Sequence, residues 1–261
     1  TSLIAFIMCL ASCSFISKDF DTSNKDNLVI QLITNILDQG HYLDKEIDDE
    51  FSEKVFNTFL ENLDPYKRYF YMSDIEEFSK FKYSIDDDFN NPNLDFFNLV
   101  YERYNNRMSE SEKIFSKILS TPFDFSKDEV CECDFEILDY VQTKEELYDR
   151  WRKLLKIYVI ENYHNEIEDD LRKLEKDSNF QLRDFALIEK ESRESLSETM
   201  IQNYRFVSEE MQRSDWFSVY INSFLSQYDP NTSYLDPESK DRFDVDMSGN
   251  YAGIGARLQK K

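Results

Sequence analysis

Three small groups of residues in this chain have types and spacing that could do chemistry. Ser79 and Lys82 stand in the order Ser-x-x-Lys, where a lysine can take the proton of a serine nucleophile. The pair lies in SDIEEFSKFKY, a charged helical segment without an oxyanion loop, so it reads as a chance match and no catalytic residue is assigned. Asp64 and Asp229 could act as paired carboxylates, but each precedes a proline, Pro65 and Pro230. They read as turn residues. Cys131 and Cys133, in VCECDF, could ligate a metal, yet only His41 and His164 are available as imidazoles and no structural-zinc spacing appears. The two thiols are not expected to bridge each other, on the argument that neighbouring side chains of an extended segment point to opposite faces. Neither a metal nor a cofactor is expected.

The two Asp-Pro pairs belong to a longer repeat. FLENLDPYKRYFYMSDIEEF and FLSQYDPNTSYLDPESKDRF share Phe, Leu, Asp, Pro, Tyr and Phe at the same offsets. In each, proline fixes φ and cannot extend the helix, while aspartate can accept from nearby backbone N–H groups. Tyr69 and Tyr234 are expected to fold back and bury their rings, and Phe78 and Phe243 to pack the returning helix.

The elements that must position these turns read as helices. NLVIQLITNILDQGHY places Leu28, Leu32, Ile36 and Leu37 on one side, with Gly40 as a stop signal. DKEIDDEFSEKVFNTFLENL repeats Ile47, Phe51, Val55, Phe59 and Leu63 at spacings of four. Ser73 with Glu76 reads as a capping box. Asn91-Pro92 opens the next helix, with Leu94, Phe97, Tyr101, Tyr104 and Met108 as its apolar stripe, and Thr121-Pro122 closes it. Residues 122–140 lack a helical period, which predicts short strands or an extended connection. Thr143 with Glu146 caps a long helix whose apolar residues recur too densely for a solvent-bridging rod. Further helices are expected across 180–212 and 215–227.

Composition agrees with a mainly helical fold. Only 4 Gly and 5 Pro stand beside 22 Phe and 16 Tyr, which disfavours a turn-rich β-sandwich and general disorder. A formal net charge of -22 repels phosphate backbones, so nucleic acid is excluded as a partner. The uncharged start TSLIAFIMCLASCSF is too short to span a bilayer, which takes about 20 residues; it has the length of a signal-peptide apolar region. Leu10-Ala11-Ser12-Cys13 resembles a lipobox, which makes Cys13 the expected lipidation site and a membrane surface the expected anchor. An ordinary signal peptide with an incidental cysteine remains the alternative. Both readings export the protein.

FLENLDPYKRYFYMSDIEEF, WRKLLKIYVIENY and QYDPNTSYLDPESKDRFDVDMSGNYAGIGARLQKK, in that order, together resemble the N-terminal part of bacterial tail-specific proteases, also called C-terminal processing peptidases. The resemblance implies a helical N-terminal region followed by a PDZ domain and a Ser-Lys protease domain that cuts proteins with apolar, free C-termini in the periplasm. It places Gly253, Ile254, Gly255 and Ala256 at the peptide-binding loop, where glycines let backbone N–H groups converge on a carboxylate. Asn231 and Ala252 depart from the family pattern, which often has His and Glu there.

The expected organisation is a signal peptide and lipobox over 1–13, a tether over 14–26, a mainly α, multi-helix domain over 27–246, and the first strand of a truncated PDZ domain over 247–261. The Ser-Lys dyad is expected downstream of Lys261. The helical region is expected to scaffold a substrate enclosure and position the PDZ domain, with protein substrates and an envelope adaptor as candidate partners. The competing reading is a non-catalytic envelope lipoprotein that binds a partner through its helical surface.

Overall fold

The computed structural model describes residues 22–43 and 45–248. Cys13 and the Gly253–Ala256 loop therefore lie outside the described residues, as do the signal-peptide segment and most of the expected PDZ strand. Among the described residues the secondary structure is α-helical, with one 3₁₀ turn, one π turn and no named strand. The helices are α1 (Thr22–Gly40), α2 (Asp49–Leu63), α3 (Met72–Phe78), α4 (Ile85–Asn90), α5 (Asp95–Leu119), α6 (Lys144–Lys176), α7 (Phe185–Arg205), α8 (Arg213–Tyr228) and α9 (Pro237–Ser248). The mainly α expectation holds. Contacts divide the described residues into two compact units, one of residues 22–43 and 87–94 and one of residues 45–86 and 95–248.

In the smaller unit, α1 turns a different face inward from the one its leucines suggested. Ile30 and Leu37 are buried, whereas Leu28, Leu32 and Ile36 are 51%, 53% and 64% exposed. At 3.6 residues per turn, Ile30 and Leu37 fall within about 20° of one another. Leu28, Leu32 and Ile36 then lie on the opposite side. The helix is apolar on two faces, and Leu37 belongs with Ile30. Within this unit the Thr34 hydroxyl donates to the Ile30 and Phe89 carbonyls at 3.0 and 3.2 Å.

The larger unit is organised by α2, α5 and α8. Asp48 caps α2 by accepting from the Phe51 N–H at 2.9 Å, and Phe51, Val55, Phe59 and Leu63 are buried as the fourfold spacing predicts. Ile47 precedes the helix. Phe56 and Leu60 are buried as well, so α2 sits between two neighbours. Phe51 meets Phe224 of α8 edge-on at 4.9 Å, Phe59 meets Tyr220 at 5.0 Å, and Phe56 stacks on Phe96 of α5 at 5.4 Å. These edge and offset geometries add to the apolar burial.

A second cluster gathers Phe115, Ile118 and Leu119 of α5, Leu147, Trp151, Leu155 and Val159 of α6, and Leu196 and Met200 of α7. Thr143 caps α6 by accepting from the Glu146 N–H at 3.2 Å, and Glu146 accepts from Gln142 at 2.7 Å. Beyond Ile160 the picture changes, because Asp170 is the one buried residue of α6 from there to its end among the described residues. The C-terminal half of α6 is thus closer to a solvated arm than the density of its apolar residues suggested. α9 buries no residue, and Phe243 is 51% exposed, so that ring does not pack as expected whereas Phe78 is fully buried. The connection from 120 to 143 is irregular, and its pairing is a single parallel bridge between Tyr71 and Val141.

Candidate functional site

Ser79 and Lys82 have partners that exclude a nucleophile-base pair. The Ser79 hydroxyl donates to the Ile75 carbonyl of its own turn at 2.7 Å. Lys82 pairs with Glu53 at 2.7 Å, and the hydrogen bond and charge of Glu53 hold the ammonium above its ordinary pKa. A general base must be neutral. This lysine is held in the charged form.

The first Asp-Pro turn is tied by its own aspartate. The buried Asp64 carboxylate accepts from the backbone N–H groups of Arg68, Tyr69 and Phe70 at 2.8, 2.9 and 3.0 Å. Burial raises the carboxyl's pKa, opposed by those three donors and by Arg68. Pro65 is exposed. Lys67 takes a left-handed φ of 46°, which L residues other than glycine, asparagine and aspartate rarely adopt. The chain can thereby reverse within a ring closed by one carboxylate.

Helix α6 grips this turn from outside. The Trp151 indole N–H donates to the Arg68 carbonyl at 2.8 Å, and Arg150 donates to the carbonyls of Lys67 and, at 2.8 Å, Asp139. Tyr69 is half-buried, edge-on to Tyr104 and Trp151 at 5.6 and 5.9 Å, and the Arg68 guanidinium lies 4.7 Å from the Trp151 ring. Replacing Trp151 by phenylalanine keeps much of the ring but removes the donor. The expected loss is about 2 kcal/mol of unfolding free energy, read as a lower urea midpoint at constant slope.

The second turn shares the backbone closure of the first, with the Thr232 N–H donating to the Asp229 carbonyl and the Lys67 N–H to the Asp64 carbonyl, both at 3.0 Å. The buried Asp229 carboxylate accepts from the Thr232 hydroxyl at 2.8 Å and the Asn231 amide at 3.4 Å. Pro230 is exposed. Tyr234 is half-buried and exchanges two backbone bonds with the Asn222 side chain, at 2.7 and 3.0 Å. The shared letters therefore produce two helix exits closed by the same pair of backbone bonds.

Sequence reasoning missed the charged network on the other side of the first turn. Helix α3 begins at Met72, with Asp74 accepting from the Tyr71 N–H at 3.0 Å. That displaces the expected Ser73 and Glu76 capping box by two residues. The fully buried Asp74 carboxylate takes two bonds from Arg107, at 2.8 and 2.9 Å, and one from Arg103. Arg103 reaches on to Glu77 at 2.6 Å, and Arg107 to Glu110 at 2.8 Å. Burial works to raise the Asp74 carboxyl, but Arg107, the Tyr71 N–H and Arg103 outweigh it and hold the carboxyl below its ordinary pKa. Glu110 also accepts from the Tyr71 phenol at 3.2 Å. Burial, with the Glu110 charge and hydrogen bond, pushes that phenol up to about 12.

Several concave surfaces border these elements. A cleft of about 880 Å³ lies between α6 and the segment from Cys131 to Gln142, with Phe135, Tyr140, Arg150 and Lys153 in its walls. A second, of about 760 Å³, is walled by Lys113, Lys117, Lys144 and Tyr148. A third, of about 490 Å³, sits in the elbow between α6 and α7 and is largely apolar, with Ile167, Leu171, Leu182 and Phe185. No group of three or more metal-ligating side chains occurs among the described residues. No described helix is long and apolar enough to cross a membrane.

Comparison with known proteins gives this scaffold a context. Residues 33–238 match the family described as the tail specific protease N-terminal domain. The Haemophilus influenzae protein named "Tail-specific protease" is 25% identical over 243 residues, which is 92% of this chain and 32% of that relative. The chain thus spans about a third of the curated relative's length.

Proposed function

Since this chain belongs to the tail-specific protease N-terminal domain family, we propose that it is the helical N-terminal region of a periplasmic serine endopeptidase. That enzyme would process proteins recognised through apolar C-terminal tails. In this reading the two Asp-Pro turns and the α2, α5, α6 and α8 packing form a stiff support for the substrate enclosure and for a PDZ domain reached through α9. The Gly253–Ala256 segment would belong to the peptide-binding loop, Cys13 would carry the lipid anchor, and an envelope adaptor would be a further partner. The Ser-Lys dyad would be supplied by sequence beyond Lys261.

The match over residues 33–238 carries this reading, and the prior engagement of Ser79 and Lys82 agrees with chemistry located elsewhere. Purified chain, incubated with a peptide that ends in a free apolar C-terminus, is expected to leave it uncut. The longer protein containing this region is expected to cut it. Turnover by the 261-residue chain alone would overturn the assignment of the dyad.

The exposed Leu28, Leu32 and Ile36 of α1 and Leu171, Leu182 and Phe185 at the α6–α7 elbow favour a second reading, a non-catalytic envelope module that binds a protein partner. Apolar patches of this kind mark interaction surfaces. Under that reading the chain would aggregate or melt without cooperativity when isolated. A monomer in size exclusion with a sharp circular-dichroism melt would instead support the self-sufficient scaffold.

A further inference from the structure

The irregular connection between α5 and α6 is fastened at both ends of a short span. Glu129 is clamped by Arg152 at 2.6 and 3.0 Å and by Lys156 at 2.8 Å. Further along, Lys67 donates to the carbonyls of Glu136, at 3.2 Å, and Leu138. Between these anchors stand two free thiols, Cys131 half-buried and Cys133 exposed. Neither is used by the scaffold described above, and Cys131 lines the cleft of about 880 Å³.

The expectation that these thiols rarely bridge rests on side chains alternating between opposite faces. Alternation to opposite faces applies to adjacent residues, whereas residues two apart share a face of an extended segment. Two residues of fully extended chain span roughly 7 Å. A slight bend therefore brings the Cα atoms within the range a disulfide accepts. Both sulfurs lie against this short stretch of backbone, the Cys133 Sγ 3.8 Å from the Cys131 carbonyl oxygen and the Cys131 Sγ 3.8 Å from that of Glu132.

We propose that Cys131 and Cys133 are a thiol–disulfide couple that closes into an intrachain disulfide by exchange with an external disulfide. Cys133 is the entry sulfur because it is exposed. Burial and the neighbouring Cys133 keep the Cys131 thiol above its ordinary pKa, which disfavours it as the first attacker. The Cys133 thiolate attacks one sulfur of the external disulfide, forming a mixed disulfide and releasing one thiol. Cys131 then loses its proton to solvent and attacks the Cys133 sulfur, releasing the second thiol. Two protein thiols are oxidised and one disulfide is reduced to two thiols. An exposed disulfide of this kind is open to re-reduction, as labile and regulatory ones are. This inference does not rest on the protease reading.

The full chain, incubated with oxidised glutathione, alkylated and digested with trypsin, gives a direct test. Residues 128–144 form a peptide that contains Cys131 and Cys133 and no other cysteine. The expected product is that peptide two hydrogens lighter, unalkylated and without a glutathione adduct. It should revert on addition of reduced glutathione. Cys131→Ser is expected to trap a lasting glutathione adduct on Cys133. A lasting adduct on the wild-type chain, a cross-link between two chains, or two alkylated cysteines after oxidant would each overturn the couple. An unmodified Cys131→Ser chain would overturn Cys133 as the entry sulfur.

Discussion

Asp64→Ala is expected to lower the unfolding free energy by about 3–5 kcal/mol. The carboxylate is the acceptor for three consecutive backbone N–H groups, those of Arg68, Tyr69 and Phe70. Removing it strands the Phe70 donor in a buried setting, which costs about 1–3 kcal/mol. The two half-buried donors regain water only in part. Relief of the charge's own desolvation, visible in the raised carboxyl pKa, is the opposing effect and keeps the loss from being larger. Asp64→Asn should fall between, because the amide oxygen still accepts while its NH₂ faces a donor. Urea unfolding at neutral pH with an unchanged slope would read both losses. An Asp64→Ala chain within about 1 kcal/mol of wild type would show that Trp151 and Arg150, rather than the carboxylate, hold the turn closed.

Much of this arrangement is legible because its causes are local. Asp64-Pro65 reads as a helix exit from two adjacent residues, and the Thr143 cap needs only its own first turn. The fourfold spacing of Phe51, Val55, Phe59 and Leu63 specifies one face of α2 without reference to its partners. What the letters could not show depends on distant choices. α1 carries apolar residues on two sides, so periodicity alone could not say that Ile30 rather than Leu32 would be covered. The Ser73 and Glu76 pattern is locally valid, yet Asp74 wins the cap at Tyr71 because its carboxylate is also fixed by Arg103 and Arg107, 29 and 33 residues away. The repeated Phe-Leu, Asp-Pro, Tyr pattern captures two chain reversals with the same backbone closure, but not the side-chain bonds, such as that of the Thr232 hydroxyl to Asp229.

Asp74→Asn carries the other large expected effect, and pH separates its origin from mere packing. The wild-type carboxylate joins α3 to α5 through Arg107 and Arg103. An amide loses the charge and one acceptor position while Glu77 and Glu110 still serve the arginines. A loss of about 3 kcal/mol at neutral pH is expected. Because the folded carboxyl titrates below its ordinary value, its stabilisation is fully present above the unfolded pKa of about 4. In the interval below that value the unfolded chain binds the extra proton, so stability falls with pH until the folded carboxyl is protonated. Glu110, held low against its own burial by Lys144 and Arg107, adds a loss of the same sign. The variant has already lost the Asp74 contribution. Its stability should therefore decline less steeply in acid, and the gap between the two proteins should narrow as pH drops below about 4. A gap that stays constant from neutral to acid pH would mean that the change acts through packing and that Asp74 titrates alike in folded and unfolded chains.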